Sequence, residues 1–265
     1  MDSLSITSCM ASNMDVLCRE LAGYLAARLS LPVYARLDLP WQERQRLFEA
    51  GRIQLCWICG LPYVREKDRA PDWFSLIAAP VMAGRRYGGR PVYFSDVVVR
   101  SESAFRSLDD LAGASWAYNE PASHSGYGVV RYALAEQGRS LDFFGRVIES
   151  GAHQVSLQMI LAGTVDASAI DSTVLELELS RDPSLASRIR VVDTFGPSPI
   201  PPWVTSASLD SGLQARIREI LVGMEAEPEG RGLMSRVGIA RFSPVEDRDY
   251  DPIREMARSA FGPDG

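Results

Sequence analysis

Lysine, histidine and cysteine are all scarce in this chain. Lys67 is the single lysine of 265 residues, and His124 and His153 are the two histidines. No basic run occurs and the formal net charge is −6, which excludes a non-specific nucleic-acid binder and leaves no nucleic-acid partner to expect. An acidic chain can still hold an anion locally. No apolar run approaches the roughly 20 residues a membrane-spanning helix needs. The opening residues, MDSLSITSCMASN, have neither the basic leader nor the apolar core of an export signal. The expected location is therefore periplasmic if a signal has been removed, and cytoplasmic if the sequence is complete as written.

The four cysteines, Cys9, Cys18, Cys56 and Cys59, do not settle the redox compartment. Cys56 and Cys59 form one C-x-x-C at the end of a strand-like run, where alternation points the side chains to opposite faces. A redox C-x-x-C opens a helix instead. With no second pair and both histidines far along the chain, neither a metal site nor a cofactor is expected.

Hydrophobic residues make up 46% of the chain, ample for packed cores, and the length suits one large domain or two lobes. Leu4 to Ser8 predicts a strand and Asp15 to Leu29 a helix, with Val16, Leu17, Leu21, Tyr24 and Leu25 at helical spacing. A second strand follows at Val33 to Leu37, a helix with Trp41, Leu47 and Phe48 after Pro40, and a third strand at Ile53 to Ile58. This β-α-β-α-β order predicts a parallel sheet with ligands gathered at the carboxyl ends of its strands. The loops Ser8 to Asn13 and Cys59 to Tyr63 are then candidate walls of a cleft.

Pro91 to Arg100 reads as a long strand, after which a second β-α series begins. It comprises strands at Ala114 to Tyr118, Arg146 to Glu149 and Ala167 to Ile170, with helices after Ser123, near Ser156 to Ala162 and after Asp171. A strand at Ile189 to Asp193 leads into the Pro-rich passage FGPSPIPPW, Phe195 to Trp203, expected as an unpacked connector. The last third predicts helices at about Ser211 to Met224, Gly230 to Arg236 and Pro252 to Ala260. With no strand of their own, they are expected to cover the first sheet. Lobe 1 would then comprise residues 1–92 plus 200–265, and lobe 2, inserted, residues 93–199, with a cleft and hinge between them.

The stretch ASWAYNEPASHSGYGVVRYALA, Ala114 to Ala135, combines a strand, a polar turn and a helix whose apolar positions are Tyr127, Val130, Ala133 and Leu134. Unpaired N–H groups and the positive end of the macrodipole make such a helix start an anion site. Ser123 and Ser125 add hydroxyls, and Gly126 lets the backbone approach closely. Serines before a helix are most often plain N-caps, and this stretch taken alone reads first as that. No Ser-His-Asp order that would demand catalysis can be read.

The segments DVVVRSESAFRSLDDLAGASWAYNEPASHSGYGVVRYAL and FFGRVIESGAHQVSLQMILAGTVDASAIDS resemble the PhnD-like periplasmic phosphonate, phosphite and phosphate binding proteins of ABC importers. The carriers are the helical turn Ser107 to Gly113, the Ser123 to Tyr127 turn, the strand end Ile148 to His153, and Gly163 to Ser172. Gly60-Leu61-Pro62-Tyr63 stands where that family has a Gly-Pro-x-x-Tyr loop. The resemblance is ordered over roughly residues 53 to 175 and weak after 205.

It implies a two-lobe α/β fold of the type 2 periplasmic binding class, each lobe a mainly parallel sheet flanked by helices. It also implies a solute-binding protein that closes its hinge over a small oxyanion, works as a monomer and serves an ABC permease in the membrane. Carried over by position, the ligand-facing residues are Tyr93, Ser123, His124, Ser125, His153 and Asp171, which join Gly126, expected in the site from the turn itself. His124 stands where Thr or Ser is usual, which bears on the identity of the anion. His153 would donate a hydrogen bond, charge-assisted if an anion raises its pKa. Asp171 would select a protonated ligand oxygen, or merely cap the helix that follows. Trp41 and Tyr63 are candidates for an aromatic wall from the first lobe, or for core packing. The alternative is a cytoplasmic enzyme or sensor on the same fold, as in precursor synthases for thiamine or menaquinone, with His153 or Asp171 as general acid or base.

Overall fold

The computed structural model describes residues 2–262. The chain begins with β1 (Leu4–Ser8), α1 (Asp15–Leu29), β2 (Val33–Ala35), α2 (Trp41–Glu49), β3 (Leu55–Trp57), α3 (Gly60–Arg69) and β4 (Phe74–Met82). It continues with β5 (Val92–Arg100), β6 (Ser115–Tyr118), α4 (Val129–Ala135), β7 (Arg146–Glu149), α5 (His153–Leu161) and β8 (Ala167–Asp171). There follow α6 (Ser172–Arg181), α7 (Leu185–Arg188), β9 (Ile189–Pro199), β10 (Trp203–Ser206), α8 (Ser211–Gly223), α9 (Pro228–Ser235), β11 (Ile239–Ser243) and α10 (Asp251–Phe261). Two compact units result. Unit 1 takes the chain up to Val92 and again Pro199–Asp251, and unit 2 takes Tyr93–Ser198 and the chain from Pro252 on.

Unit 1 carries a sheet in the order β11-β4-β10-β3-β1-β2. β1 pairs parallel with β2 and β3, while β10 runs antiparallel to β3 and β4, and β11 antiparallel to β4. Parallel pairing thus fills one half of the sheet only, because β10 and β11 arrive from the far end of the chain without a β-α-β crossover. Helix α1 follows its apolar spacing, burying Leu17, Leu21, Tyr24 and Leu25. Ser30, in the left-handed conformation at φ 52°, ends it just before Pro32.

Three expectations for this unit need correction. Gly60 to Tyr63 is the first turn of α3, not a loop. Its buried residues are confined to Gly60, Leu61, Tyr63 and Val64, so no full apolar stripe announces the helix, and Pro62 is tolerated in a first turn that needs no intrahelical acceptor. The last third supplies two strands besides its helices. In β11 a register shift between Ile239 and Arg241 brings Phe242 into the core out of step and erases the period-2 pattern. The Pro-rich passage is packed structure: β9 extends to Pro199, and Trp203 of β10 is fully buried, its ring 5.4 Å from that of Trp57. β9 lies at the edge of its sheet, where prolines forfeit no ladder hydrogen bond.

Unit 2 carries the order β7-β6-β8-β5-β9, with β6 parallel to β7 and β8, and β8 antiparallel to β5. Alternate residues feed two cores. Val97, Val99, Trp116, Ala167 and Ala169 join Val129, Leu134 and Phe144 on one face, whereas Val98, Ala117 and Ile170 join Leu157, Ile160 and Leu175 on the other. With both faces covered, Val97, Val98 and Val99 of β5 run apolar without alternation. Helix α10 packs here and not on the first sheet. Met256 lies against the first of these cores, the Phe261 ring is 6.0 Å from that of Tyr127, and the Arg131 guanidinium sits 4.7 Å over Phe261. The apolar stripe of a helix shows that a face is buried, not which sheet buries it.

Candidate functional site

The parallel strands β6, β7 and β8 of unit 2 end at Tyr118, Glu149 and Asp171. The chain leaving β6 reaches Ser123 and His124. The chain leaving β7 turns through Gly151 at φ +85°, a left-handed conformation that glycine adopts freely, and enters α5 at His153. Antiparallel to β8, β5 places Ser95 opposite Asp171, which brings Tyr93 to the same carboxyl edge. Seven expected positions, Tyr93, Ser123, His124, Ser125, Gly126, His153 and Asp171, thus gather at one edge of one sheet, where open α/β sheets hold ligands. Trp41 and Tyr63 belong to unit 1. Tyr63 is fully buried, packs 4.7 Å from the ring of Tyr250 and donates its hydroxyl to Asp247 Oδ1 at 2.7 Å. Trp41 is the first residue of α2, half-buried.

The helix start shows why a serine there can serve as cap and ligand donor at once. The Gly126 N–H donates to Ser123 Oγ at 3.1 Å, which uses a lone pair of the hydroxyl and leaves its proton available. The first turn, His124–Gly128, is π-helical, with the Gly128 N–H donating to the Ser123 carbonyl at 3.0 Å. Such wide turns recur at functional sites because they re-aim the residues they carry. Ser125 is held from two sides. Its carbonyl accepts from the Ser95 hydroxyl, and its Oγ lies 3.0 Å from His153 Nε2.

Burial governs the charges. His124 is 1% exposed and its Nε2 lies 3.0 Å from Ser198 Oγ. Desolvation pushes its pKa down to about 4, so the ring is neutral at pH 7. His153 is pushed to about 4 by the same burial, the Ala169 carbonyl pulling weakly the other way. Each neutral ring offers one donor and one acceptor. Asp171 Oδ1 accepts from the Thr173 N–H at 2.8 Å and the Thr173 hydroxyl at 2.7 Å, which makes it the N-cap of α6. Burial raises its pKa to about 6, the hydrogen bonds from Thr173 and Val174 opposing and the Asp96 carboxylate assisting. Among the described residues no group of three or more His, Cys, Asp or Glu could hold a metal ion.

Three residues of this edge carried little sequence signal. Ser95 could have been found, since it sits two residues beyond Tyr93 on one strand and so shares its face. Ser198 lies in the Pro-rich passage, where no local pattern points to His124. Asn119, 7% exposed, presses its Oδ1 against Gly126; from sequence it only shapes the turn.

Residues 6–250 match the family described as ABC transporter, phosphonate, periplasmic substrate-binding protein. The phosphonates-binding periplasmic protein of Escherichia coli (strain K12) is 24% identical over 78% of this chain and 61% of its own length, so the match spans less than two thirds of that relative. A probable ABC transporter phosphite binding protein of Prochlorococcus marinus (strain MIT 9301) is 20% identical over 80% of this chain and 73% of its own. A structure from Prochlorococcus marinus (MIT 9301), in complex with methylphosphonate, superposes with TM-score 0.86 at 19% identity, covering 98% of this chain and 99% of that one. At that identity the likeness shows the fold, a two-lobe α/β architecture of the periplasmic binding type.

Proposed function

The chain belongs to the family of periplasmic substrate-binding proteins of phosphonate ABC transporters, and from that membership we propose that it is a non-catalytic binding protein. Its ligand is a small oxyanion of the phosphonate, phosphite or phosphate type, and its partner is an ABC permease. The observation that carries this reading is Ser125, whose hydroxyl lies 3.0 Å from His153 Nε2 at the first turn of a buried helix start.

With the His153 proton on Nε2, the imidazole donates to Ser125 Oγ and frees the hydroxyl proton for an incoming oxygen. Ser123, already capping Gly126, donates its own proton in the same way. The backbone N–H groups at the helix start add donors and the positive end of the helix dipole. A tetrahedral oxyanion thereby meets several short donors from one turn of chain. Asp171, protonated in part near neutral pH, favours a ligand that retains a proton, because a carboxylate beside a fully ionised anion is repelled.

Isothermal titration of the chain with methylphosphonate, phosphite and phosphate tests the proposal. At least one of the three binds, and Ser125→Ala weakens that ligand by the ~1 to 3 kcal/mol of a buried polar partner left unmet, roughly 5- to 150-fold. Unchanged affinity in Ser125→Ala overturns the assignment.

A further inference from the structure

In unit 1, β1 and β3 run parallel with Thr7 opposite Cys56 and Ser8 opposite Trp57. One residue past β1, the Cys9 N–H donates to the Trp57 carbonyl at 2.8 Å, which pins the start of the following loop to β3. Cys9 Sγ consequently lies 3.6 Å from Cys56 Sγ, although the two are 47 positions apart. Both are free thiols, Cys9 8% exposed and Cys56 fully buried. The C-x-x-C spacing thus names the wrong partner. Cys59 stands at the position just before α3 without a side-chain capping bond, and the sulfur that Cys56 touches comes from another strand end.

We propose that Cys9 and Cys56 are a disulfide-forming pair, closed by thiol–disulfide exchange with a small-molecule disulfide such as oxidised glutathione. Closure needs the sulfurs to approach from 3.6 Å to about 2.05 Å, a movement within reach of side-chain rotation at a loop residue. Cys9 is the entry point, being on the loop and the more accessible of the two. Its thiolate attacks one sulfur of the oxidant and expels one glutathione thiolate. Cys56 then attacks the Cys9 sulfur of the mixed disulfide and expels the second. Two protein S–H bonds and the S–S bond of the oxidant are lost, and one protein S–S bond and two glutathione S–H bonds are formed. Two electrons therefore pass to glutathione, and the two thiol protons end there. Burial raises the Cys56 thiol well above its ordinary range, which makes closure the slow step. The bridge ties β3 to the loop that leads into α1.

The test is to incubate the full chain with excess oxidised glutathione at about pH 8, quench with acid, unfold in denaturant with a thiol-blocking reagent present, then digest and weigh the peptides. The expected result is a mass loss of about 2 Da with a Cys9–Cys56 linked peptide, while Cys18 and Cys59 are recovered blocked. A Cys9→Ala variant shows no such loss, and the oxidised wild type melts above the reduced one. Recovery of Cys9 and Cys56 both blocked, or of Cys56 linked to Cys18 or Cys59, overturns the proposal.

Discussion

Asp171, His124 and His153 share one buried environment, and burial favours the uncharged form of each. For Asp171 this raises the folded pKa to about 6 from an ordinary 3.8. The stability it contributes is complete below the unfolded value and is lost as pH rises through about 6. For the histidines the folded pKa falls to about 4 from 6.5. There the unfolded chain binds protons more readily, so stability is complete above 6.5 and is lost as pH falls toward 4. Asp171→Asn keeps a capping oxygen for Thr173 but removes the acid. It should gain stability relative to wild type between pH 4 and 7, by on the order of 2 to 3 kcal/mol. Urea denaturation at several pH values reads this directly, and parallel profiles for the two proteins would count against a buried, raised Asp171. At this scale the sequence located these groups by resemblance and left Asp171 open between cap and ligand contact. The structure shows the cap, whose geometry depends on a Thr173 hydroxyl two residues on.

The helix start at residues 123–128 is an element whose shape one glycine permits. A Cβ on Gly126 would lie 2.0 Å from Asn119 Oδ1 and 3.1 Å from His153 Cε1. Gly126→Ala should therefore destabilise by about 1 to 3 kcal/mol through overpacking and abolish ligand binding. Asn119→Ala in the same chain should restore part of the stability in denaturant titration, which a loss unrelated to this contact would not do. Elements with a clean apolar period were legible from sequence, α1 and β6 to β8 among them. The illegible ones each had a physical reason: the bulge of β11, the one-turn buried face of α3, and the edge position that lets β9 run through prolines. For α10 the helix was legible and its partner was not, because amphipathicity carries no address.

The chain passes between its two units at Val92–Tyr93, at Ser198–Pro199 and at Asp251–Pro252. Residues beside the first two passages brace the helix start within unit 2, Ser95 through the Ser125 carbonyl and Ser198 through His124. Contacts spanning 30 and 74 positions have no local signature, which is why sequence patterning found the turn and not its supports. The seven unit 2 positions include no lysine or arginine, and both imidazoles are held neutral by burial. An anion gripped there would be retained by dipoles at contact range and not by monopole attraction reaching through solvent, so dissolved salt has little to shield. Raising sodium chloride from about 0.05 to about 0.5 M, which shortens the screening length to a few ångströms, should change methylphosphonate affinity by less than about threefold. Titration at the two ionic strengths decides it: a steep fall would mean that cations outside these seven positions do the holding. Capture on these terms works as well in brine as in fresh water.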